Sequence, residues 1–325
     1  MILNKYLTII KMINRNSKIF LAGHKGLVGS GILGYLKISG YKNIYVASRK
    51  KLDLLNQNKV FNFFKKNSFQ GVIIAAAKVG GINANNTMRA EFIYENTQIQ
   101  NNIIHSAYKS GVKNLIFLGS SCIYPKNCPQ PIKENYLLTS ELEYTNEPYA
   151  IAKINGLKLC ENYSNQYNLN YKCLMPTNVF GHNDNFDLTT SHFLPAIIRK
   201  ISDAIILNKK YVLLWGNGKP KRELIFSEDL ARACVFFLGK KTKENLINIG
   251  SGYEKNIFQY TNFLIKNFCP GLKIRYIKNF LNGTARKTLN SNIAKKHKWK
   301  TIYNIENELK NVFIKFHKKN ILNFK

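Results

Sequence analysis

A tyrosine and a lysine four residues apart, Tyr149 and Lys153, have clear potential for chemistry. Positions i and i+4 of a helix lie on one face, so the two side chains would be neighbours. An ammonium beside a phenol stabilises the phenolate and lowers the pKa of the phenol, which lets tyrosine exchange a proton near neutral pH. The same spacing is common on solvated helix faces, so this prediction depends on what else the chain provides.

A serine and a cysteine follow an apolar stretch that predicts a strand over Asn114–Gly119. Ser120 stands at the carboxyl end of that strand, where its hydroxyl can hydrogen-bond a substrate carbonyl while a nicotinamide delivers hydride. Cys122 lies two residues further, on the side of the sheet where ligands bind. The other cysteines are interpreted as buried packing residues; they are Cys128, Cys160, Cys173, Cys234 and Cys269.

A glycine-rich turn predicts a dinucleotide site near the start of the chain. It follows a predicted strand over Lys18–Ala22 and opens a predicted helix over Leu27–Ser39. Glycines let the backbone turn tightly and approach a pyrophosphate, whose charge then lies at the helix N-terminus. The candidate residues are Gly23, His24, Lys25, Gly26, Leu27, Val28 and Gly29.

The end of the second predicted strand favours NADP over NAD. NAD-binding folds usually place a carboxylate there for the ribose 2′-hydroxyl, whereas an arginine accommodates a 2′-phosphate. This chain has Arg49 followed by Lys50 and Lys51, with no acid before Asp53. Lys50 and Lys51 also fit a simple surface lysine run, so Arg49 carries the prediction, and Lys25 adds a second positive charge.

Strand and helix patterns alternate through the first half of the chain. The predicted order from residue 43 onward is strand Asn43–Ala47, helix Val60–Lys66, strand Gly71–Ala77, helix Ala90–Ser110, strand Asn114–Gly119, helix Tyr149–Tyr167 and strand Tyr171–Pro176. Such a rhythm predicts an α/β fold of Rossmann type, with a doubly wound parallel sheet and helices on both faces.

The rhythm changes after Gly181, which predicts a smaller, mixed α/β C-terminal lobe for the substrate. A loop over Asn183–Ser191, a helix over His192–Ile206 and a strand over Tyr211–Trp215 are expected, and helix and strand return over Asp229–Ile249. We predict an N-terminal extension over residues 1–17, with Met1 and Met12 both open as starts. A cofactor domain over 18–180 with return segments near 229–250 follows, and a substrate lobe over 181–325.

Composition bounds the class of protein. The chain has 325 residues, 45% of them apolar, which excludes a disordered chain. Its 49 Lys and Arg against 18 Asp and Glu give a charge of +31, mainly through missing acids. That pattern fits a genome biased towards AT-rich codons, so nucleic-acid binding is not favoured. Scattered cysteines and the lack of long apolar runs predict a cytoplasmic protein with neither a metal site nor a membrane span.

Several stretches resemble the extended short-chain dehydrogenase/reductases, and among them the GDP-L-fucose synthase family. The resemblance spans roughly residues 18–315 and is densest in its middle third. The matching stretches are Ala75–Gly81 (AAAKVGG), Ala84–Thr87 (ANNT), Phe92–Asn96, Leu118–Lys126 (LGSSCIYPK), Asn146–Lys153 (NEPYAIAK), Pro176–Gly181 (PTNVFG), Asp184–Phe186 and Ser191–His192.

The resemblance implies that GDP-4-keto-6-deoxy-D-mannose is epimerised at C3 and C5 and then reduced at C4 by NADPH. Cys122 would remove the protons, His192 would return them, and Tyr149 would protonate the C4 oxygen with help from Lys153 and Ser120. Further cofactor contacts would come from Leu118, Gly119, Ser120, Ser121, Lys153, Pro176, Thr177, Asn178, Val179 and His192.

At the nucleotide end the resemblance implies contacts from Lys200, Trp215, Arg222 and Asn282. The chain departs from the family pattern here. Asn282 stands where an aspartate is usual, His182 where a proline is usual, and Phe226 near a usual histidine. These departures spare the proton-transfer residues and put affinity for the nucleotide in question.

Other functions remain open at this point. A related reductase or epimerase could act on another nucleotide sugar, although a plain reductase would not need Cys122 and His192. A non-enzymatic protein on this fold would be expected to lose Tyr149 or Lys153. Basic stretches with aromatic residues, at 295–300 and 313–319, fit an amphipathic helix surface better than RNA contact. The family also implies a homodimer through the helices at 90–110 and 149–167.

Overall fold

The computed structural model of the chain describes residues 13–277 and 284–324. Most of the expected N-terminal extension, residues 1–12, and the candidate substrate residue Asn282 lie outside the described residues.

Twelve strands form among the described residues. They are β1 Ile19–Ala22, β2 Ile44–Tyr45, β3 Gly71–Ile74, β4 Asn114–Leu118, β5 Asn170–Pro176, β6 Asn178–Phe180, β7 Tyr211–Trp215, β8 Lys221–Phe226, β9 Leu246–Ile249, β10 Glu254–Asn256, β11 Lys273–Ile277 and β12 Arg286–Lys287.

Ten α-helices form in the same part of the chain. They are α1 Leu27–Ile38, α2 Gln57–Asn67, α3 Ile82–Thr87, α4 Arg89–Lys109, α5 Glu147–Tyr167, α6 Phe193–Ile206, α7 Ser227–Leu238, α8 Ile257–Phe268, α9 Asn292–Lys296 and α10 Ile305–Phe324. None of them is long and apolar enough to span a lipid bilayer.

Six parallel strands make the main sheet, in the order β2-β1-β3-β4-β5-β9. The chain moves outward from β1 in one direction to β2 and in the other from β3 onward, so β1 and β3 flank a topological switch point. In open α/β sheets ligands bind outside the carboxyl ends of the strands at such a point. The predicted Rossmann-type parallel sheet is confirmed.

Helices cover both faces of this sheet, and each face has its own core. On one face α2, α4 and α5 bury a cluster that includes Phe64, Phe117 and Tyr171. On the other face α1 and α7 bury Leu36 and Phe237 with their neighbours. Since each fully buried side chain of this size contributes about 1.5–3 kcal/mol, the sheet is a firm base for residues at its edge.

The C-terminal part is mixed and centres on β8. This strand pairs with β6 and β12 in parallel and with β10 antiparallel. Helices α6, α8 and α10 pack around a third core, which includes Phe180, Leu264 and Phe313. Strands β7 and β11 form a separate parallel pair.

The predicted strands and helices lie where the structure has them, with boundaries that differ by up to three residues. Only Ile44–Tyr45 of the predicted second strand pairs, because it is an edge strand with β1 as its one neighbour. The third strand ends at Ile74, and residues 75–81 leave the sheet as a loop. Trp299, one of the aromatics of the RNA-contact alternative, is 4% exposed and packs in the core.

Candidate active site

Tyr149 and Lys153 lie on the first two turns of α5, facing the end of β4. The Lys153 ammonium is buried and donates a hydrogen bond to the Leu118 carbonyl, 2.9 Å away. Its Nζ atom is 5.6 Å from the centre of the Tyr149 ring and 4.7 Å from that of Phe117. The pair expected from the spacing is therefore formed, and Lys153 also ties α5 to the sheet edge.

Burial sets the protonation of this pair. It raises the pKa of the Tyr149 phenol, and the nearby Cys122 thiol raises it further. Burial lowers the pKa of Lys153 to about 8. The spacing of Tyr149 and Lys153 predicts a lowered phenol pKa, whereas burial raises it in the structure. A protonated phenol suits a proton donor.

Ser120 and Cys122 occupy a tight turn after β4. The Ser120 backbone is extended, and its Oγ accepts a hydrogen bond of 3.3 Å from the Cys122 backbone N–H. This bond caps a short 3₁₀ segment over Ser121–Ile123. Both side chains are half-buried at the carboxyl edge of the sheet.

Two cations surround the Cys122 thiol. Lys287 of β12 places its Nζ 3.9 Å from the Cys122 Sγ. Arg222 of β8 also interacts electrostatically with Cys122 and donates hydrogen bonds to the Lys221 and Thr284 carbonyls. The thiol predicted from its position after β4 therefore meets residues of the C-terminal part.

His192 immediately precedes α6, and the charge of Lys287 acts on its ring. Surrounding protein lowers the pKa of the imidazole, and the charge of Lys287 lowers it further. The residue nevertheless retains an exposed surface. His192 is thus in electrostatic contact with the cation that neighbours Cys122.

The glycine turn has the shape required for a phosphate. Gly23 has a φ of +87°, and a Cβ there would lie 2.5 Å from the Ala76 backbone nitrogen. A Cβ on Gly29 would lie 2.0 Å from the Gly23 carbonyl oxygen, so Gly29 lets the helix begin close to the turn. Gly26 precedes the first residue of α1, and a Cβ there would make only an ordinary contact, 3.6 Å from the Gly23 carbonyl oxygen.

A cavity of about 270 Å³ opens beside this turn. Its lining includes four residues of the turn (Gly23, His24, Lys25, Gly26) and the predicted Arg49. Leu27, Val28 and Gly29 lie in α1 behind it. Apolar residues such as Leu54 and Ile99 cover the cavity wall, so the space can hold a flat apolar ring with anionic groups near the turn.

The residues after β4 and β5 form the rest of this edge. Leu118 ends β4 and Gly119 follows it, while Pro176 ends β5. Thr177 Oγ1 and Asn178 Nδ2 both donate to the Glu223 carbonyl, at 2.8 and 2.9 Å, and Val179 continues into β6. These bonds join the sheet to the C-terminal part directly beside the site.

At the expected nucleotide end, Lys200 and Trp215 are neighbours. Lys200 Nζ lies 4.9 Å from the Trp215 ring and donates a 2.9 Å hydrogen bond to the Leu213 carbonyl. Trp215 is 47% exposed, with the Lys200 ammonium over its indole ring. Arg222 lies instead in the cluster around Cys122.

Two departures from the family pattern prove to be in contact. The rings of His182 and Phe226 meet edge to face, with centres 5.8 Å apart. The usual proline and histidine are therefore replaced together by a packed aromatic pair, which leaves Cys122 and Tyr149 untouched.

Three functional positions escaped the sequence analysis. Lys287 had no role assigned to it, and nothing in the sequence indicates that it meets Cys122. Asp53 and Glu95 line the cavity beside the glycine turn; Glu95 lies in the Phe92–Asn96 stretch of the resemblance, whereas Asp53 has no local motif. Within residues 13–277 and 284–324 no group of His, Cys, Asp and Glu could hold a metal ion.

Fold and site together define a nicotinamide-dependent enzyme of the short-chain dehydrogenase type. Residues 19–250 match the NAD dependent epimerase/dehydratase family. GDP-L-fucose synthase 1 of Arabidopsis thaliana is 47% identical over 283 residues, 87% of this chain and 88% of that protein. The chain therefore belongs to this family and, within it, to the GDP-L-fucose synthases.

Solved structures agree with this assignment. A GDP-L-fucose synthetase from Naegleria fowleri bound to NADP has a TM-score of 0.86 and 25% identity, covering 95% of each chain. A GDP-mannoheptose C4 reductase from Campylobacter jejuni with NADP bound has a TM-score of 0.85 and 32% identity, covering 94% of this chain and 99% of that one. The same fold thus serves a reductase as well as a fucose synthase.

Proposed function

We propose that the protein converts GDP-4-keto-6-deoxy-D-mannose to GDP-L-fucose, by epimerisation at C3 and C5 followed by NADPH-dependent reduction at C4. The relatives named above support this reaction, and the NADP-bound structures support the cofactor. The observation that carries the proposal is the thiol of Cys122 beside the Lys287 ammonium, in one site with Tyr149 and Lys153. A reductase alone would need only the last two.

Epimerisation requires one group to take a proton from carbon and another to return one from the opposite face. The 4-keto group acidifies the protons on both neighbouring carbons, so one acid–base pair serves C3 and C5. We assign the base to Cys122, since a thiol ionises nearer neutrality than a hydroxyl. His192, whose ring shares Lys287 as a neighbour, is assigned as the acid.

Reduction requires a proton at the C4 oxygen. Tyr149 holds that proton, because burial keeps its phenol protonated. Ser120 hydrogen-bonds the same oxygen, and Lys153 stabilises the phenolate that remains. NADPH, when bound, supplies the hydride.

The glycine turn and the cavity beside it fit this cofactor. Backbone N–H groups at the start of α1 would hold the pyrophosphate, and Arg49, which lines the cavity, would bind the ribose 2′-phosphate. Leu118, Gly119, Ser121, Thr177 and Asn178 would line the nicotinamide end. We propose the corresponding division into a cofactor domain over 18–180, with return segments near 229–250, and a substrate lobe over 181–325.

The nucleotide end of the substrate would lie against the lobe. Lys200 neutralises phosphate charge, and the partly exposed indole of Trp215 adds apolar surface. Arg222 lies closer to Cys122 than the sequence suggested, so we assign it to the end of the diphosphate nearest the sugar. Asn282 is proposed to contact a ribose hydroxyl.

We also propose a cytoplasmic homodimer that pairs through α4 and α5. An exposed apolar surface on these helices supports it, with Tyr94 65%, Ile151 43% and Tyr167 40% exposed. All six cysteines are free thiols, as expected in a reducing compartment. Light scattering of the wild type against Ile151→Asp tests the pairing, which requires a dimer that the aspartate weakens.

Incubation of the purified protein with GDP-4-keto-6-deoxy-D-mannose and NADPH tests the reaction. We expect NADPH oxidation matched mole for mole by GDP-L-fucose, and deuterium from D₂O at C3 and C5 of the product. Oxidation that gives an unepimerised, undeuterated sugar would identify a plain reductase. No oxidation at any substrate concentration would reject both functions.

A further inference from the structure

One charged side chain connects the two groups assigned to epimerisation. The Lys287 ammonium lies 3.9 Å from the Cys122 Sγ. The same charge lowers the pKa of the His192 imidazole, second only to burial. Among the described residues no carboxylate pairs with Lys287, although its neighbour Arg286 binds Glu254 at 2.7 Å.

The backbone on both sides of Lys287 is held firmly. Arg286 and Lys287 pair with Lys221 and Arg222 of β8. The Thr288 N–H donates to the Gln130 side chain at 3.0 Å, and the Leu289 N–H donates to buried Glu223 at 2.8 Å. Since side chains alternate along a strand, Arg286 points outward to Glu254 and Lys287 points inward to the thiol.

The other ionisable groups near the thiol do not oppose this arrangement. Tyr149 faces Cys122 from α5 and stays neutral because burial raises the pKa of its phenol. Arg222 faces Cys122 from β8 as a second cation. Cys128, whose thiol pKa burial raises, also lies within the field of Lys287. The charge of Lys287 also acts on His192, whose pKa is lowered first by burial and then by this charge.

We infer that Lys287 is a positioning residue for epimerisation, whose ammonium holds the Cys122 sulfur and stabilises the negative charge that the sulfur carries when it removes a proton from carbon. This inference rests on the proposed function, which makes Cys122 the base and His192 the acid. Cys122 takes the proton from carbon as the enolate forms, and His192 in its protonated form gives a proton to the same carbon from the opposite face. Cys122 then releases its proton to water and His192 regains one from water at its exposed side, so both groups return to their starting states.

Thiol reactivity tests the inference without any sugar substrate. The rate at which iodoacetamide alkylates Cys122 at pH 7 is measured on the peptide that contains it, for the wild type and three variants. Lys287→Met removes the charge and keeps the length, Lys287→Arg keeps the charge, and Arg286→Met removes the neighbouring outward charge. We expect about tenfold slower alkylation in Lys287→Met alone, since a charge this close acts strongly on a half-buried group.

A second measurement, of the His192 pKa, must rise where the reactivity of Cys122 falls. Nuclear magnetic resonance titration of the His192 imidazole should show its pKa rising in Lys287→Met, because the repulsion of an imidazolium is removed. A merely structural loss would not both slow the alkylation of Cys122 and raise the pKa of His192. Lys287→Arg should restore both values, and Arg286→Met should change neither.

The inference would be overturned if Lys287→Met and Arg286→Met had equal effects on the alkylation of Cys122. An unchanged alkylation rate in a folded Lys287→Met would overturn it as well. Thermal unfolding of each variant identifies any that fail to fold, and Lys287→Arg then decides by whether it keeps the wild-type rate. The proposed function is judged separately. A wild type that shows the expected thiol and imidazole responses but no turnover would reject the reaction and leave the charge coupling in place.

Discussion

The two halves of the site are built by different means. Tyr149, Lys153 and Ser120 stand on or beside long elements of the parallel sheet, where α5 packs on a buried core and Lys153 bonds the end of β4. Arg222 stands near the start of β8 in the C-terminal part, and Lys287 stands on β12, which has two residues. In that part of the molecule, hydrogen bonds to buried carboxylates hold the backbone in place.

The carboxylates are notable in a chain with 18 acids. Glu223 is fully buried and accepts backbone hydrogen bonds from Gly252 and Leu289, at 2.6 and 2.8 Å. Asp229 is fully buried and accepts from Ile302 and Tyr303. The residues assigned to reduction are thus held by a regular sheet, whereas those assigned to epimerisation also depend on a few long-range hydrogen bonds to buried carboxylates.

Tyr149→Phe should have the largest effect, on the sheet side of the comparison. The phenylalanine keeps the packing against Phe92 and removes the proton donor. We expect the C4 reduction rate to fall about 10³-fold, within the range typical for a lost general acid. Deuterium exchange at C3 and C5 should continue, and its loss in a folded variant would show that the two chemistries cannot be separated.

Cys122→Ser should impair epimerisation much more than reduction. A serine hydroxyl ionises far less readily than a thiol, so washout of C3 and C5 protons should fall about 10²-fold. Reduction of the unepimerised ketone should fall much less, because Tyr149, Lys153 and Ser120 remain. Equal losses of both activities would count against Cys122 as the base.

Local pattern was sufficient to predict the sheet. The apolar runs of β1, β3, β4 and β5 are buried on both faces, and glycine punctuation marked the turn after β1. Site residues at strand ends followed from that register. Their placement was predictable because each depends on neighbours close in sequence.

The long-range contacts of the C-terminal part were not predictable in this way. Glu223 meets Leu289 across 66 residues, and Lys287 meets Cys122 across 165. Neither pair has a periodic signal, and a lysine in a chain of charge +31 is indistinguishable from background. The contact between His182 and Phe226 was hidden for the same reason, since only the fold brings the two positions together.

Arg49→Gln tests the cofactor end of the sheet half. Loss of a charged hydrogen bond to a 2′-phosphate should raise the KM for NADPH about 30-fold, in line with the strength of such bonds. The KM for NADH should stay within about twofold, because NADH lacks that phosphate. Lys50→Gln is the matched control, and an equal effect there would assign selectivity to the lysine run.

The pH profile of the free enzyme should report Lys153. Burial lowers its pKa to about 8, so the ammonium is lost as the pH rises through that value. We expect kcat/KM for NADPH to fall about tenfold per pH unit above that point, as a single deprotonation requires. Lys153→Arg should move the decline to higher pH, and a decline that stays in place would belong to another group.

Glu223→Gln should give the smallest effect, and it tests whether this buried carboxylate supports epimerisation more than reduction. An amide oxygen can accept from Gly252 or Leu289, but the amide nitrogen opposes the other N–H, so the free energy of unfolding should fall by about 1–2 kcal/mol. Glu244→Gln, at a half-exposed pair with His297, should cost under about 0.5 kcal/mol. Because Leu289 lies two residues from Lys287, proton washout at C3 and C5 should slow more than reduction does. A variant more stable than the wild type would mean that burying this carboxylate costs more than its two bonds return, and equal losses of both activities would mean that Glu223 supports the whole fold rather than the epimerisation side.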